Sequence, residues 1–116
     1  MKKIILIATT MLGLNAFAYS ADAVKDAEAL LKLTQDRFGA GEVTMTDVKQ
    51  AEAFVLEMKI KAGVISKVEY CNVVIPVLEN AVQGISAEEK VGLRTIEDVI
   101  HARIELYRVK SECPAN

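Results

Sequence analysis

The sequence predicts an all-α fold, either an antiparallel helical hairpin or a small four-helix bundle. Three observations lead to this expectation. Apolar residues recur at spacings of three and four along most of the chain after residue 21, which is the period of one helix face. No segment alternates apolar and polar residues for long, as a half-buried strand would. Clusters of glycine, threonine and aspartate lie between periodic segments, where one helix ends and another begins.

The N-terminal segment has the three-part layout of a secretory signal peptide. Met1-Lys2-Lys3 is basic, Ile4 to Leu14 is largely apolar, and Ala16-Phe17-Ala18 places small residues at a cleavage site. A membrane-spanning helix needs about 20 apolar residues, and this run is shorter. We predict a signal peptide over 1–18 and cleavage after Ala18, with Ser20 or Ala23 as the alternative sites. The expected location is the periplasm, with secretion as the second choice.

Removal of residues 1–18 would leave a single domain over residues 19–116. Of the 14 basic side chains, 12 would remain against 16 acidic ones, giving a net charge of −4. Nucleic-acid-binding proteins carry a clustered positive field, so we expect no nucleic-acid partner. We also do not expect an integral membrane protein once the signal has been removed.

Apolar stripes define the first two predicted helices. The first runs from Ala21 to Phe38 and is ended by Gly39 and Gly41, which tolerate the left-handed conformation that closes a helix. The second is a long amphipathic helix from Asp47 to about Val68. The residues that form the two stripes are Val24, Ala27, Leu31, Thr34 and Phe38, and then Val48, Ala51, Val55, Met58, Ala62 and Ile65.

The segment from Tyr70 to Gln83 is open to two interpretations. Val73-Val74-Ile75 is β-branched and could form a short strand, but Pro76 follows it. A helical stripe also runs through the segment, so we favour a helix that is kinked or restarted at Pro76. Its members are Val68, Cys71, Ile75, Leu78 and Val82.

The remaining predicted elements lie towards the C-terminus. Gln83-Gly84 is predicted to close the preceding helix, and Ser86 with Glu89 could cap a short turn of helix. The last helix is predicted from Ile96 to Glu112, with Val99, Ala102, Leu106, Val109 and Cys113 on one face.

Two stretches of the chain share a pattern at an offset of 51 residues. Residues 41–59 and 92–110 have six identities in nineteen positions, within units of about 36–62 and 87–113. Each pattern has a glycine that permits a turn, a threonine that can cap a helix and an aspartate that completes a capping box. The repeat reflects either duplication or a helix-start signal shared by chance. The predicted turn and cap residues are Gly41, Thr44, Asp47, Gly92, Thr95 and Asp98.

Cys71 and Cys113 are the only cysteines. In an exported chain two cysteines indicate one disulfide, the alternative being two free buried thiols. Two distant cysteines and one histidine do not make a metal site. No nucleophile motif surrounds His101, which we expect on the surface, and the carboxylates are spread at helical spacing. We therefore predict no catalytic residue, no cofactor and no metal.

The first copy of the repeat, Arg37 to Glu52, resembles the helix-break element of the TolC family of outer-membrane efflux proteins. Gly92 to Ala102 is similar to the second copy of the same element. In that family the element marks a break between consecutive helices of a periplasmic α-barrel and occurs twice, because the protomer is an internal repeat. The family protomer is several times longer and adds strands, so the resemblance implies either a shortened relative or a small helical protein that shares the local motif.

Two functions from different classes fit these features. The first is a periplasmic protein, not an enzyme, that acts by helix packing against itself or against another protein of the cell envelope. Phe54 and Tyr107, at nearly equivalent places in the two copies, are expected to be core or interface aromatics. The alternative is a small exported inhibitor or immunity-type protein that blocks an envelope-acting enzyme or a toxin.

Overall fold

The structure is a computed structural model that describes the backbone of residues 2–113 and the side chains of residues 21–113. That part of the chain forms four α-helices and no strand: α1 (Lys2–Gly39), α2 (Met45–Lys61), α3 (Lys67–Lys90) and α4 (Ile96–Glu112). The all-α prediction is confirmed. The side chains of the predicted export signal, 1–18, lie outside the described residues. Among the residues described, no helix is both long enough and apolar enough to cross a bilayer.

Helices that follow each other along the chain lie side by side. Within residues 2–113, the backbones of α1 and α2, of α2 and α3, and of α3 and α4 lie close together, and the Cα atoms of no other pair of helices come within 8 Å of each other. Cross-contacts show that neighbours run antiparallel: Thr46 at the start of α2 bonds Glu88 at the end of α3 at 2.8 Å, and Cys71 at the start of α3 is joined to Cys113 at the end of α4. Between α1 and α2, Lys59 near the end of α2 lies 4.0 Å from Glu28, which precedes the connecting turn by 11 residues. The four helices therefore form a small bundle arranged as a row, in which α2 and α3 have neighbours on both sides.

Helix α3 supplies the largest share of the core. Its side chains Val74 and Ile85 are almost fully buried, as are Val99 and Val109 of α4. Helix α2 adds small buried side chains, valine and alanine, which let antiparallel helices approach closely. The remaining buried apolar residues are Ala27, Val48, Ala51, Val55, Tyr70, Cys71, Leu78, Ala81 and Leu106.

The chain has three copies of the glycine turn where the sequence predicted two. Gly41, Gly63 and Gly92 all have positive φ, at 77°, 73° and 82°, in the left-handed region that glycine occupies without strain. In the additional copy, Ser66 caps α3 by accepting a hydrogen bond from the backbone N–H of Glu69 at 3.1 Å. The spacing Gly-x-x-Ser/Thr-x-x-acid is thus common to all three turns.

The long helix predicted from Asp47 to about Val68 was wrong. Helix α2 ends at Lys61, and Gly63 turns the chain into α3. The apolar 3–4 spacing conceals this break, because Ile65 of the turn still packs against the core. Val68, which the stripe placed on the apolar face, is exposed.

Helix α3 also corrects the prediction that Gly84 ends a helix. It continues through Gly84 to Lys90, and Ser86 and Glu89 lie inside it. The helical interpretation of Val73-Val74-Ile75 is confirmed. Pro76 lies within the helix, and the side chain of Asn72 is exposed one turn before it. Water can therefore satisfy the Asn72 carbonyl, which has no N–H partner at Pro76.

The two predicted capping boxes are both present. Thr44 caps α2 and Thr95 caps α4, and Asp47 and Asp98 each accept a hydrogen bond from the backbone N–H of their threonine, at 2.9 and 3.0 Å. The boundaries predicted for α4, Ile96 to Glu112, are confirmed.

Replacement of Thr95 by alanine is expected to lower the free energy of unfolding by about 1 kcal/mol, because the first turn of α4 loses an acceptor for the N–H of Asp98. Chemical denaturation of the wild-type protein and the variant measures the difference. Replacement of exposed Ser111 by alanine is the control in the same helix. An effect at Thr95 no larger than that at Ser111 would remove the capping role.

Candidate functional site

A disulfide closes one end of the bundle, the end at which the α2–α3 turn lies. Cys71 at the start of α3 and Cys113 at the end of α4 are bonded, with an S–S distance of 2.10 Å and a Cα–Cα distance of 5.9 Å. The predicted disulfide is confirmed, and the alternative of two free thiols is excluded. The bond fixes α4, the last helix of the row, to its only neighbour.

A charged cluster around Arg94 lies at the opposite end of the bundle, where α3 ends and α2 and α4 begin. The guanidinium of Arg94 donates to Asp47 Oδ1 at 2.7 Å through Nη2 and to Glu88 Oε1 at 2.8 Å through Nε. The hydroxyl of buried Thr46 donates to the other oxygen of Glu88 at 2.8 Å. The start of α2, the end of α3 and the turn before α4 are thereby joined in one network.

The network favours the charged forms of its members. Burial by itself raises the pKa of Asp47, but hydrogen bonds from the Thr44 backbone and from Arg94 outweigh it and lower this pKa below its usual value. Burial by itself also raises the pKa of Glu88, but hydrogen bonds from the Thr46 hydroxyl and from Arg94 outweigh it and lower this pKa below its usual value. The two carboxylates in turn raise the pKa of Arg94. The cluster is therefore an ion network at neutral pH.

Acid is expected to destabilise the protein through this network. The pKa values of Asp47 and Glu88 are lower in the folded state than in the unfolded state. Their contribution to the free energy of unfolding is therefore complete above the unfolded-state pKa values of about 4, and it is lost as the pH falls through the folded-state pKa values. Urea denaturation between pH 2 and 7 should show this loss for the wild-type protein. The loss should be smaller in Asp47→Asn, and equal pH profiles would contradict the assignment.

The structure brings together some of the predicted site residues and separates others. Asp47 of the first repeat is bonded to the second repeat through Arg94, whereas Thr95 and Asp98 only cap α4. The two threonine turns lie at one end of the bundle, and the Ser66 turn and the disulfide lie at the other end. Arg94 and Glu88 were missed by sequence reasoning. The available signal was that each departs from the repeat, since Val43 and Arg37 occupy the equivalent positions.

Gly84 has a packing role in this network. A Cβ atom at Gly84 would lie 2.2 Å from the hydroxyl oxygen of Thr46. Only glycine lets α3 pass close enough to α2 for that hydroxyl to reach Glu88, and this explains a glycine inside a continuous helix.

Between α2 and α4 lies a small apolar hollow over α3. Its volume is about 190 Å³, and alanine side chains from all three helices, Ala53, Ala81 and Ala102, leave the space open. Phe54 stands at its edge and is 43% exposed, so this aromatic is not a core residue as one of the two expectations had it. The other lining residues are Gln50, Glu57, Tyr70, Val74, Leu78, Glu105 and Val109.

A run of exposed apolar side chains follows one face of α4. Ile96, Ile100, Ile104 and Tyr107 are between 46% and 61% exposed, and their spacing of four, four and three places them within about a quarter of the helix circumference. They lie on a different side of α4 from the buried Leu106 and Val109, which pack against α3. These four residues are called the α4 stripe below.

Residues that could support chemistry do not converge in the described part of the chain. His101 is exposed, as expected, and no group of three or more histidine, cysteine, aspartate or glutamate side chains among residues 21–113 could hold a metal ion. Comparisons of the chain with family models, with curated proteins and with solved structures find no match.

Proposed function

We propose that this chain is an exported periplasmic protein that acts, without catalysis, by packing its helices against another protein surface in the cell envelope. The resemblance to the periplasmic helices of TolC-family efflux proteins supports the same class of function. The disulfide supports an oxidising compartment, because such bonds persist in the periplasm and are rare in the cytosol.

The α4 stripe is the observation that carries the proposal. Four large apolar side chains at helical spacing face solvent on a helix whose opposite face is already packed. Isolated exposed apolar residues are common, but a contiguous set of this kind marks an interaction surface. Helix α4 ends the row, so its outer face is the place where a further helix can be added without disturbing the core.

The experiment compares the native size of the protein in detergent-free envelope extract with that of two double variants. Ile100→Asp/Ile104→Asp places charge in the stripe. Val64→Asp/Val68→Asp makes the same change at two exposed valines, one in the turn between α2 and α3 and one at the start of α3. We expect the wild-type protein and the Val64/Val68 variant to migrate as an assembly, and the Ile100/Ile104 variant to migrate as a monomer.

Circular dichroism and thermal melting of the purified variants establish that both remain folded. Monomeric migration of the wild-type protein even in the most concentrated extract, or migration of all three proteins in the same assembly, would contradict the proposal. Mass spectrometry of the same extract checks the export step, with Tyr19 as the expected first residue.

A further inference from the structure

We propose that the partner of the α4 stripe is a second copy of this chain, packed antiparallel across a two-fold axis so that Ile100 faces Ile104 of the other copy. This inference rests on the proposed function and specifies the chemistry of the partner. Three properties of α4 carry it: the order of its apolar residues, its flanking charges and the area of the stripe.

The first property is that the stripe matches itself when it is reversed. Its spacing is four, four and three in one direction and three, four and four in the other, a difference of one residue, or about 1.5 Å along a helix. A two-fold axis at the level of Ala102 therefore places Ile100 against Ile104 and Ile96 against Tyr107. A two-fold interface requires this self-complementarity, because the same patch forms both halves.

The second property is charge complementarity along one flank. Glu97 and Arg108 lie on the same side of the stripe, and the same axis brings Glu97 of each copy to the level of Arg108 of the other. Glu97 has no ion pair within the described side chains, whereas Arg108 is held by Glu105 and Glu112. These contacts use three of the five N–H groups of Arg108, so the guanidinium is fixed in place and two donors remain for a partner.

The third property is area. A half-exposed isoleucine or tyrosine presents about 100 Å² of surface, so the stripe offers about 400 Å² in each copy. A pair would bury about 800 Å² plus the flanking charged side chains, which is the size range of weak, reversible complexes. The expected species is a concentration-dependent dimer.

The opposite flank opposes pairing and provides a separate test. Arg103 lies beside the stripe near the level of the axis, so the two copies bring their Arg103 side chains towards each other. Like charges across an interface weaken association. Removal of this charge should therefore tighten the dimer, whereas a change that merely perturbed α4 would not.

The test is sedimentation equilibrium of the purified protein from about 1 µM to about 1 mM, with its folding checked by circular dichroism. We expect a monomer–dimer equilibrium. Glu97→Arg and Arg108→Glu should each raise the dissociation constant about tenfold or more, since each variant removes two ion pairs and adds like charges. The double variant Glu97→Arg/Arg108→Glu should recover the wild-type constant, and Arg103→Gln should lower it.

Each outcome bears on the inference. Recovery in the charge-exchanged double variant supports the antiparallel pair, because only a partner that carries the same exchange restores both contacts. A wild-type protein that is monomeric at every concentration overturns it, as does a double variant weaker than either single variant. If the protein is a monomer here but forms an assembly in envelope extract that Ile100→Asp/Ile104→Asp abolishes, the proposed function stands and the partner is a different protein.

Discussion

Replacement of Cys71 by serine is expected to lower the free energy of unfolding by about 4 kcal/mol. The disulfide closes a loop with a sequence separation of 42 residues, and a loop of that size restricts the unfolded chain by about this amount. A small domain has about 5–15 kcal/mol of total stability, so the variant should unfold at much lower denaturant concentration. Urea denaturation followed by circular dichroism measures the shift.

Cys113→Ser is the matched variant, because it removes the same bond from the other side. The two variants should lose similar stability, with a somewhat larger loss at Cys71, which is more deeply buried. A reducing agent should destabilise the wild-type protein and leave both variants unchanged. If the reduced and oxidised wild-type proteins unfold at the same urea concentration, the bond does not stabilise the fold.

Replacement of Arg94 by methionine is expected to cost about 2 kcal/mol. The side chain is only partly exposed, and its loss leaves Asp47 and Glu88 as neighbouring carboxylates without their cation. Removal of one partner from such a network costs more than removal of an ion pair on the open surface. Chemical denaturation at pH 7 measures the loss, which should decrease below about pH 4 as the carboxylates bind protons.

Lys90→Met is the control for Arg94→Met. Lys90 is exposed at the end of α3 and has no ion pair among the described side chains, so its replacement should change stability by less than about 0.5 kcal/mol. If Arg94→Met lowers the free energy of unfolding no more than Lys90→Met does, the network does not hold this end of the bundle together.

Local signals made the helices and their caps predictable. The apolar face of α4 and both its ends followed from the 3–4 spacing and from the Thr95 cap, whose chemistry lies within a few residues. The disulfide was predictable for a different reason, since a chain with only two cysteines has one possible internal pairing. These features depend on short-range spacing or on simple counting.

The missed features depend on contacts between distant segments or on a weaker form of a local pattern. Gly84 is a helix breaker by propensity, but it continues α3 because Thr46 packs against it. The Arg94 cluster joins residues that only the antiparallel arrangement of three helices brings together. The Ser66 turn was visible in principle, but serine and glutamate replace threonine and aspartate there, and the apolar stripe runs across it.

The outer face of α4 was missed for a related reason. A helix with apolar residues on two faces has no single stripe, and the face that contained Val99 and Leu106 accounted for the pattern. Which face is buried depends on whether a further helix follows in the row, and this requires the tertiary arrangement. The second apolar face of α4 is therefore recognisable only from the tertiary structure.

Crosslinking in living cells tests the central claim, that another protein surface covers the α4 stripe. A photo-reactive amino acid is placed singly at Ile100, Ile104, Val64 and Val68, all of which are exposed in the isolated chain. We expect adducts of one defined mass from Ile100 and Ile104 and none from Val64 and Val68. Equal yields at all four positions, or no adduct at either isoleucine, would contradict the account.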